Sequence, residues 1–335
     1  MKVLVTGAGG YLGGAVARGL LARGDAVRSF SRGDYPALRA AGVETIRGDL
    51  SDEDAVRRAV AGCDAVVHAA ANVGGWGDES AYVRANVEGT DHVVGACRAA
   101  GVSRLVFTST PSVVHDGRDL EGVDESVPYA TRFSAAYPRT KATAERRVRA
   151  ANDDALATVA LRPHLVWGPG DPHLIPRTLE RARKGRLRLP GGPPKWVDHV
   201  FIDDAARAHL DALDHLDIGA RCAGRAYFIS AGEPVRTDVL INAILTAHDL
   251  PPVTSRLPPA TFVAAARVAE ATYRRLRRRE EPPITVFAAE QLTTSHYFDI
   301  TAARRDLGYA PQVSLASGLT RLRPAASQTP CIDPS

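Results

Sequence analysis

A short apolar run, Lys2 to Val5, breaks into Thr6-Gly7-Ala8-Gly9-Gly10-Tyr11-Leu12-Gly13 and resumes as a helical pattern through Leu20 and Leu21. A strand, a tight glycine turn and a helix start in so few residues leave the fold little freedom. Without a Cβ, glycine takes positive φ cheaply, lets a pyrophosphate reach the backbone and allows the helix to pack closely on the strand. The unpaired N–H groups of the helix start then form a cradle for phosphate. Strand-like runs follow at 26–30, 43–46, 65–68 and 104–108, separated by helix-like stretches. That alternation predicts parallel strands joined by helical crossovers.

The expected architecture is therefore α/β, a Rossmann-type doubly wound parallel sheet with a smaller, mostly helical C-terminal substrate lobe. A chain of 335 residues, 45% of them hydrophobic, has material for one large core and a second lobe. The expected division is a dinucleotide-binding domain over 1–165, with 196–230 returning to it, a substrate lobe from 166–195 and 231–322, and a flexible tail over 323–335. No apolar stretch approaches the roughly 20 residues that cross a bilayer, and no signal peptide is expected. Cys63, Cys97, Cys222 and Cys331 are scattered, without metal-ligand spacing, which predicts a cytoplasmic protein with no metal. The net charge of +4 is spread along the chain without a nucleic-acid module, so no nucleic-acid partner is expected.

Tyr137 and Lys141 carry the chemistry. A phenol with a pKa near 10 is a poor acid or base at neutral pH. Four residues on, one helical turn along the same face, the Lys141 ammonium is placed to lower it and to reach a cofactor ribose. Lysine occurs only at Lys2, Lys141, Lys184 and Lys195, while every other one of the 42 basic residues is arginine. At Lys141 a compact ammonium is what the chemistry requires. At the end of the second strand, where an acid would accept hydrogen bonds from an unphosphorylated ribose, stand Ser31 and Arg32. A hydroxyl and a guanidinium fork suit a 2′-phosphate, which favours NADP(H) over NAD(H), with Asp34 close enough to keep NAD(H) open.

The chain resembles the extended short-chain dehydrogenases/reductases from Met1 to about Leu322. The resemblance is carried by Gly7 to Gly13, Asp49-Leu50, His68-Ala69-Ala70-Ala71, Asn86-Val87-Glu88-Gly89-Thr90, Thr108-Ser109-Thr110, Tyr137-Pro138-Arg139-Thr140-Lys141 and Leu161-Arg162-Pro163. It implies cofactor contacts from Gly7, Gly10, Tyr11, Leu12 and Gly13, from Asp49 and Leu50 at the adenine, and from Ala69, Ala70 and Ala71 along the cofactor path. Pro163, Leu165 and Val166 would pass beside the nicotinamide. Thr110 would orient the substrate carbonyl, with Ser109 and Ser112 as neighbours. Asn86 matches the asparagine that braces the catalytic helix or a relay water, and it also reads as a plain helix-start residue.

Within that group the chain is similar to the 3β-hydroxysteroid dehydrogenase-like branch, in particular bacterial 2-alkyl-3-oxoalkanoate reductases, through Ser31 to Leu38, Thr108 to Val114, Gly168 to Arg177 and Phe298 to Tyr309. The resemblance implies interconversion of a ketone and a secondary alcohol, on an apolar, acyl-type or polyketide-like substrate with a 3-oxo group, and a homodimer. Ser112, His173 and Trp196 are the expected substrate contacts. Two alternatives stay open: a nucleotide-sugar epimerase or dehydratase with bound NAD, and an NADP-sensing regulator. Against the first, Leu165 stands where sugar-nucleotide enzymes carry asparagine, and Pro111-Ser112 where dehydratases carry an acidic pair. Asp203, Asp204, His209, Asp211, Asp214 and His215 read as a solvated helical face. The stretch 259–280, apolar from Phe262 to Ala271 and then arginine-dense, reads as a lobe helix with a solvated end, or as a lid or a docking surface for lipid or acyl-carrier substrates.

Overall fold

Valine, leucine, alanine and phenylalanine fill the strands of the central sheet, and they are buried on both faces, as a parallel sheet covered by helices requires. A computed structural model describes residues 1–278 and 280–322. The expected tail over 323–335, with Cys331, and Arg279 of the basic stretch lie outside the described residues. The sheet comprises β1 (Lys2–Thr6), β2 (Ala26–Ser31), β3 (Glu44–Arg47), β4 (Ala65–His68), β5 (Arg104–Thr108), β6 (Ala157–Pro163) and β7 (Arg225–Ile229). These seven strands are parallel, in the order β7-β6-β5-β4-β1-β2-β3. The third strand begins one residue later than its sequence pattern suggests, because Val43 closes the preceding turn through a backbone bond to Leu38.

Alternation within β1 shows how one strand serves two cores. Val3 and Val5 join the cluster that holds α1 (Tyr11–Ala22) and α6 (Ile202–His215), while Leu4 joins the cluster under α2 (Glu53–Val60) and α3 (Gly89–Ala100). The chain winds outward from β1 in both directions, so the crossovers diverge between β1 and β4 and leave a crevice at their carboxyl ends. Beyond the sheet lie α4 (Ala136–Ala150), α5 (Leu174–Arg183), α7 (Pro259–Arg275) and α8 (Val286–Thr293). A small second sheet joins Leu120–Val123, Trp196–Val197, Val235–Arg236 and His296–Phe298.

The reading of α6 as a solvated face is corrected at two positions. Asp204 is fully buried, and its carboxylate accepts from the Gln312 and Val313 N–H groups at 3.0 and 2.8 Å, tying down the C-terminal segment. His209 is also fully buried: Nδ1–H donates to the Ala205 carbonyl at 2.7 Å, and Nε2 accepts from Thr108 Oγ1 at 2.8 Å. Polarity alone concealed both, since a buried polar group is indistinguishable in sequence from a solvated one until its partners are known. In α7 the buried face is Phe262, Ala266 and Glu270, and Glu270 accepts from the Val286 N–H at 2.7 Å and from Arg274 at 2.9 Å. No described helix is long and apolar enough to cross a membrane.

At the first turn of α1, a Cβ on Gly13 would lie 2.3 Å from the Gly7 carbonyl oxygen, and only backbone movement could relieve it. Gly13→Ala is expected to cost about 1–3 kcal/mol, typical of overpacking, measured as a lower urea midpoint at unchanged m.

Candidate active site

Gly7 has φ +72°, and its Cβ would meet Ala70 Cα at 2.8 Å, so the turn after β1 presses against the backbone after β4. The Gly7 N–H donates to the Phe30 carbonyl at 2.9 Å, which fixes the turn to the end of β2. Gly10 caps α1 without a side chain, which leaves the first amides of the helix free to face the crevice. A bare helix start against a glycine backbone fits a pyrophosphate. Along the crevice from this point runs a cleft of about 720 Å³.

Most of the residues expected at the site line this one cleft. Gly7, Gly10, Tyr11, Leu12 and Gly13 form its floor; Ser31, Arg32, Asp49 and Leu50 surround one end. Ala69, Ala70 and Ala71 run along its wall, and Thr110, Tyr137, Lys141, Pro163, Leu165, Val166 and His173 close the other end. Three expected residues lie elsewhere. Asn86 sits in a π-turn, Arg84–Glu88, with its amide occupied: Oδ1 accepts from the Asn72 N–H at 2.7 Å, and Nδ2 donates to the Asn72 carbonyl at 2.9 Å and to Thr140 Oγ1 at 3.0 Å. It braces α4 from behind instead of facing the cleft. Ser112 lies behind Thr110, bonded to its hydroxyl at 3.2 Å, and Trp196, 41% exposed, is held by its small sheet outside the cleft.

A buried chain of hydrogen bonds sets the Asn86 segment. The Ala70 N–H donates to Thr6 Oγ1 at 3.2 Å; Thr6 donates to His68 Nδ1 at 2.7 Å; His68 Nε2–H donates to Thr90 Oγ1 at 3.0 Å; and Thr90 donates to the Asn86 carbonyl at 2.7 Å. The only proton on Thr90 is spent on that carbonyl, so His68 must be the neutral Nε2–H tautomer. Burial, with Lys141 nearby, pushes its pKa down to about 3.

On α4, Tyr137 is half-buried and meets the edge of Phe287 from α8, ring centroids 6.4 Å apart. Burial raises its pKa to about 12, with the Thr110 hydroxyl pulling the other way. Lys141 is 3% exposed, donates from Nζ to the Thr108 carbonyl at 2.6 Å and rests 4.0 Å over the Phe107 ring. Burial lowers its pKa to about 7, against the attraction of Glu145. Burial is the largest influence on the phenol, and the Lys141 ammonium is engaged by the strand end beneath it. Tyr137 stands protonated, as a proton donor must. Behind the cleft stands Glu145, two turns past Tyr137 on the same face, and its position four residues after Lys141 is the sequence signal that marks it.

These residues fit a nicotinamide dinucleotide: the cradle would hold its pyrophosphate, Ser31, Arg32 and Asp49 its adenosine end, and Lys141 its second ribose. When bound, it supplies or accepts a hydride. Tyr137 would then donate its proton to the oxygen of a carbonyl becoming an alkoxide, while Thr110 Oγ1 would hydrogen-bond that oxygen. Tyr137→Phe is expected to lower kcat about 10²–10⁴-fold with thermal unfolding unchanged. The buried Lys141 also makes stability depend on pH. Between about 7 and its ordinary 10.5 the unfolded chain holds the proton that the fold has released, so stability rises with pH by up to about 1.4 kcal/mol per unit from this group. Lys141→Met should remove that rise in urea titrations.

A family model described as the 3-beta hydroxysteroid dehydrogenase/isomerase family matches residues 4–258, which contain the cradle and α4 entire. A 2-alkyl-3-oxoalkanoate reductase of Stenotrophomonas maltophilia is 52% identical over 329 residues, covering 98% of this chain and 100% of its own. Another so named, from Shewanella oneidensis, is 48% identical, covering 95% of this chain and 84% of its own. Among solved structures, MoeE5 in complex with UDP-glucuronic acid and NAD is 25% identical, with a TM-score of 0.74 over 95% of this chain and 96% of its own. A match over residues 4–258, with relatives 52% and 48% identical over nearly the whole chain, shows that this chain belongs to the 3-beta hydroxysteroid dehydrogenase/isomerase family and is an NAD(P)-dependent oxidoreductase.

Proposed function

We propose that this enzyme uses NADPH to reduce the 3-oxo group of an apolar, acyl-type substrate to a secondary alcohol. The observation that carries the reading is the meeting of a protonated Tyr137 with Thr110 and Lys141 at one end of a dinucleotide cradle, beside Leu165, Val166 and Leu174. Leu165 has φ +42°, a left-handed conformation that a branched side chain adopts only when its surroundings impose it. Its isobutyl group leaves no amide for a sugar diphosphate at that point of the wall. The names of the two reductases above support a 2-alkyl-3-oxo acid as the substrate class.

The preference for NADPH rests on the adenosine end. Asp34, the acid nearest Arg32 in sequence, is paired with Arg39. Arg32 lines the cleft, and the Ser31 hydroxyl accepts from the Gly9 N–H at 3.4 Å. A 2′-phosphate would find the Arg32 cation, while Asp49 at the same end accepts from the Ser51 N–H and hydroxyl at 2.9 Å. The exposed end of α7 and the residues after it, Arg267, Arg274, Arg275, Arg277 and Arg278 with Val268 and Leu276, is the surface proposed for peripheral contact with lipid or an acyl carrier. A homodimer is part of the same proposal.

The test follows absorbance loss of NADPH and of NADH with 2-alkyl-3-oxo acids, 3-oxosteroids and UDP-sugars. Oxidation of NADPH with a 3-oxo acid, abolished in Tyr137→Phe, is the expected result; turnover of a UDP-sugar with retained NAD would overturn it. Arg32→Ala should raise KM for NADPH about 10–100-fold, the worth of one charge-assisted hydrogen bond, and leave that for NADH nearly unchanged.

A further inference from the structure

Tyr137, Lys141 and Glu145 occupy successive turns of one face of α4. The third is a carboxylate with no contact with water: its side chain is 0% exposed. Such a charge is tolerated only when it is neutralised and all its lone pairs are used. Glu145 Oε1 accepts from Arg162 Nη2 at 2.6 Å and from the Tyr129 hydroxyl at 2.7 Å. Oε2 accepts from Arg162 Nε at 3.1 Å and from the Ser109 hydroxyl. Arg162, its side chain 2% exposed, is fixed in turn between the Tyr129 and Phe228 rings, at 5.5 and 5.1 Å. The carboxylate is immobile, and burial leaves its field little screened.

Two of its neighbours lead to the reacting atoms. Ser109 immediately precedes Thr110, whose hydroxyl lines the cleft, so the Ser109–Glu145 bond clamps the end of β5 to α4. Lys141 lies one turn before Glu145 on the same face, and its ammonium gives up part of its hydration to reach the Thr108 carbonyl at 2.6 Å. A purely structural ion pair would require neither link.

We propose that Glu145 is a positioning residue of the reduction: its buried carboxylate keeps the Lys141 ammonium charged, and its bond to Ser109 holds Thr110 in line with Tyr137. This rests on the reading of Tyr137, Thr110 and Lys141 given above, so its test includes a readout that needs no substrate.

With four lysines in the chain, selective ¹³C labelling of lysine yields a countable set of Cε resonances, and Lys141→Met assigns the one of interest. In Glu145→Gln the Lys141 titration midpoint should fall by about one pH unit, a tenfold change in its acidity, while the other lysines stay in place. Because Glu145→Gln strands a buried Arg162, the double variant Glu145→Gln/Arg162→Met, which removes both charges, is measured beside it; the same downward shift is expected. In the activity assay, the alkaline limb of the pH profile of kcat/KM should move down with the lysine, kcat should fall at least tenfold with KM for NADPH nearly unchanged, and Glu145→Asp should restore both in part. A folded double variant whose Lys141 midpoint and pH profile match the parent would overturn the proposal. A shifted lysine midpoint with no ketone turned over by the parent would instead place the failure in the proposed reaction.

Discussion

Where β1 and β4 part, the backbone at Gly7 and the backbone at Ala70 are in contact, and no side chain fits between them. Everything functional is arranged around that contact. It brings the bare start of α1 to the mouth of the crevice, it fixes Thr6 against His68, and through His68 and Thr90 it sets the carbonyl of Asn86. Asn86 in turn holds Thr140, the residue before Lys141 on α4. The cradle and α4 are thus two ends of one buried hydrogen-bonded path. Because each donor and acceptor along it is matched, the path specifies one arrangement instead of several.

Burial, more than pairwise charge, governs protonation at the far end. The same loss of water that raises Tyr137 lowers Lys141 and His68, since it disfavours whichever form carries charge. The phenol is kept as a donor and the imidazole as a neutral relay between two hydroxyls. Only the ammonium is placed against a compensating charge, and that charge, Glu145, is itself held by Arg162. The arrangement concentrates the electrostatics of the site in the turns of a single helix.

Much of this was legible before the fold was known. The strand pattern, the glycine turn, the Tyr137–Lys141 spacing and the Ser31-Arg32 end of β2 all depend on residues close together in sequence, where periodicity and backbone sterics act. Asp204 and His209 are polar by sequence yet buried in the fold, and Trp196 stands outside the cleft. Each of these depends on partners from remote segments: Gln312 and Val313 for Asp204, Thr108 for His209, and the strands Val235–Arg236 and His296–Phe298 for Trp196.

By itself, then, the sequence determined the parallel sheet, the glycine turn that opens α1 and the spacing of Tyr137 and Lys141 along one helix, because local conformational preference is a property of short stretches. Only the tertiary structure decided which ionisable groups lose their water and which neighbours they meet. It placed the Glu145 carboxylate between Arg162 and Ser109 and committed Lys141 to the Thr108 carbonyl. Desolvation and long-range pairing depend on the whole chain being packed, and no local pattern encodes them.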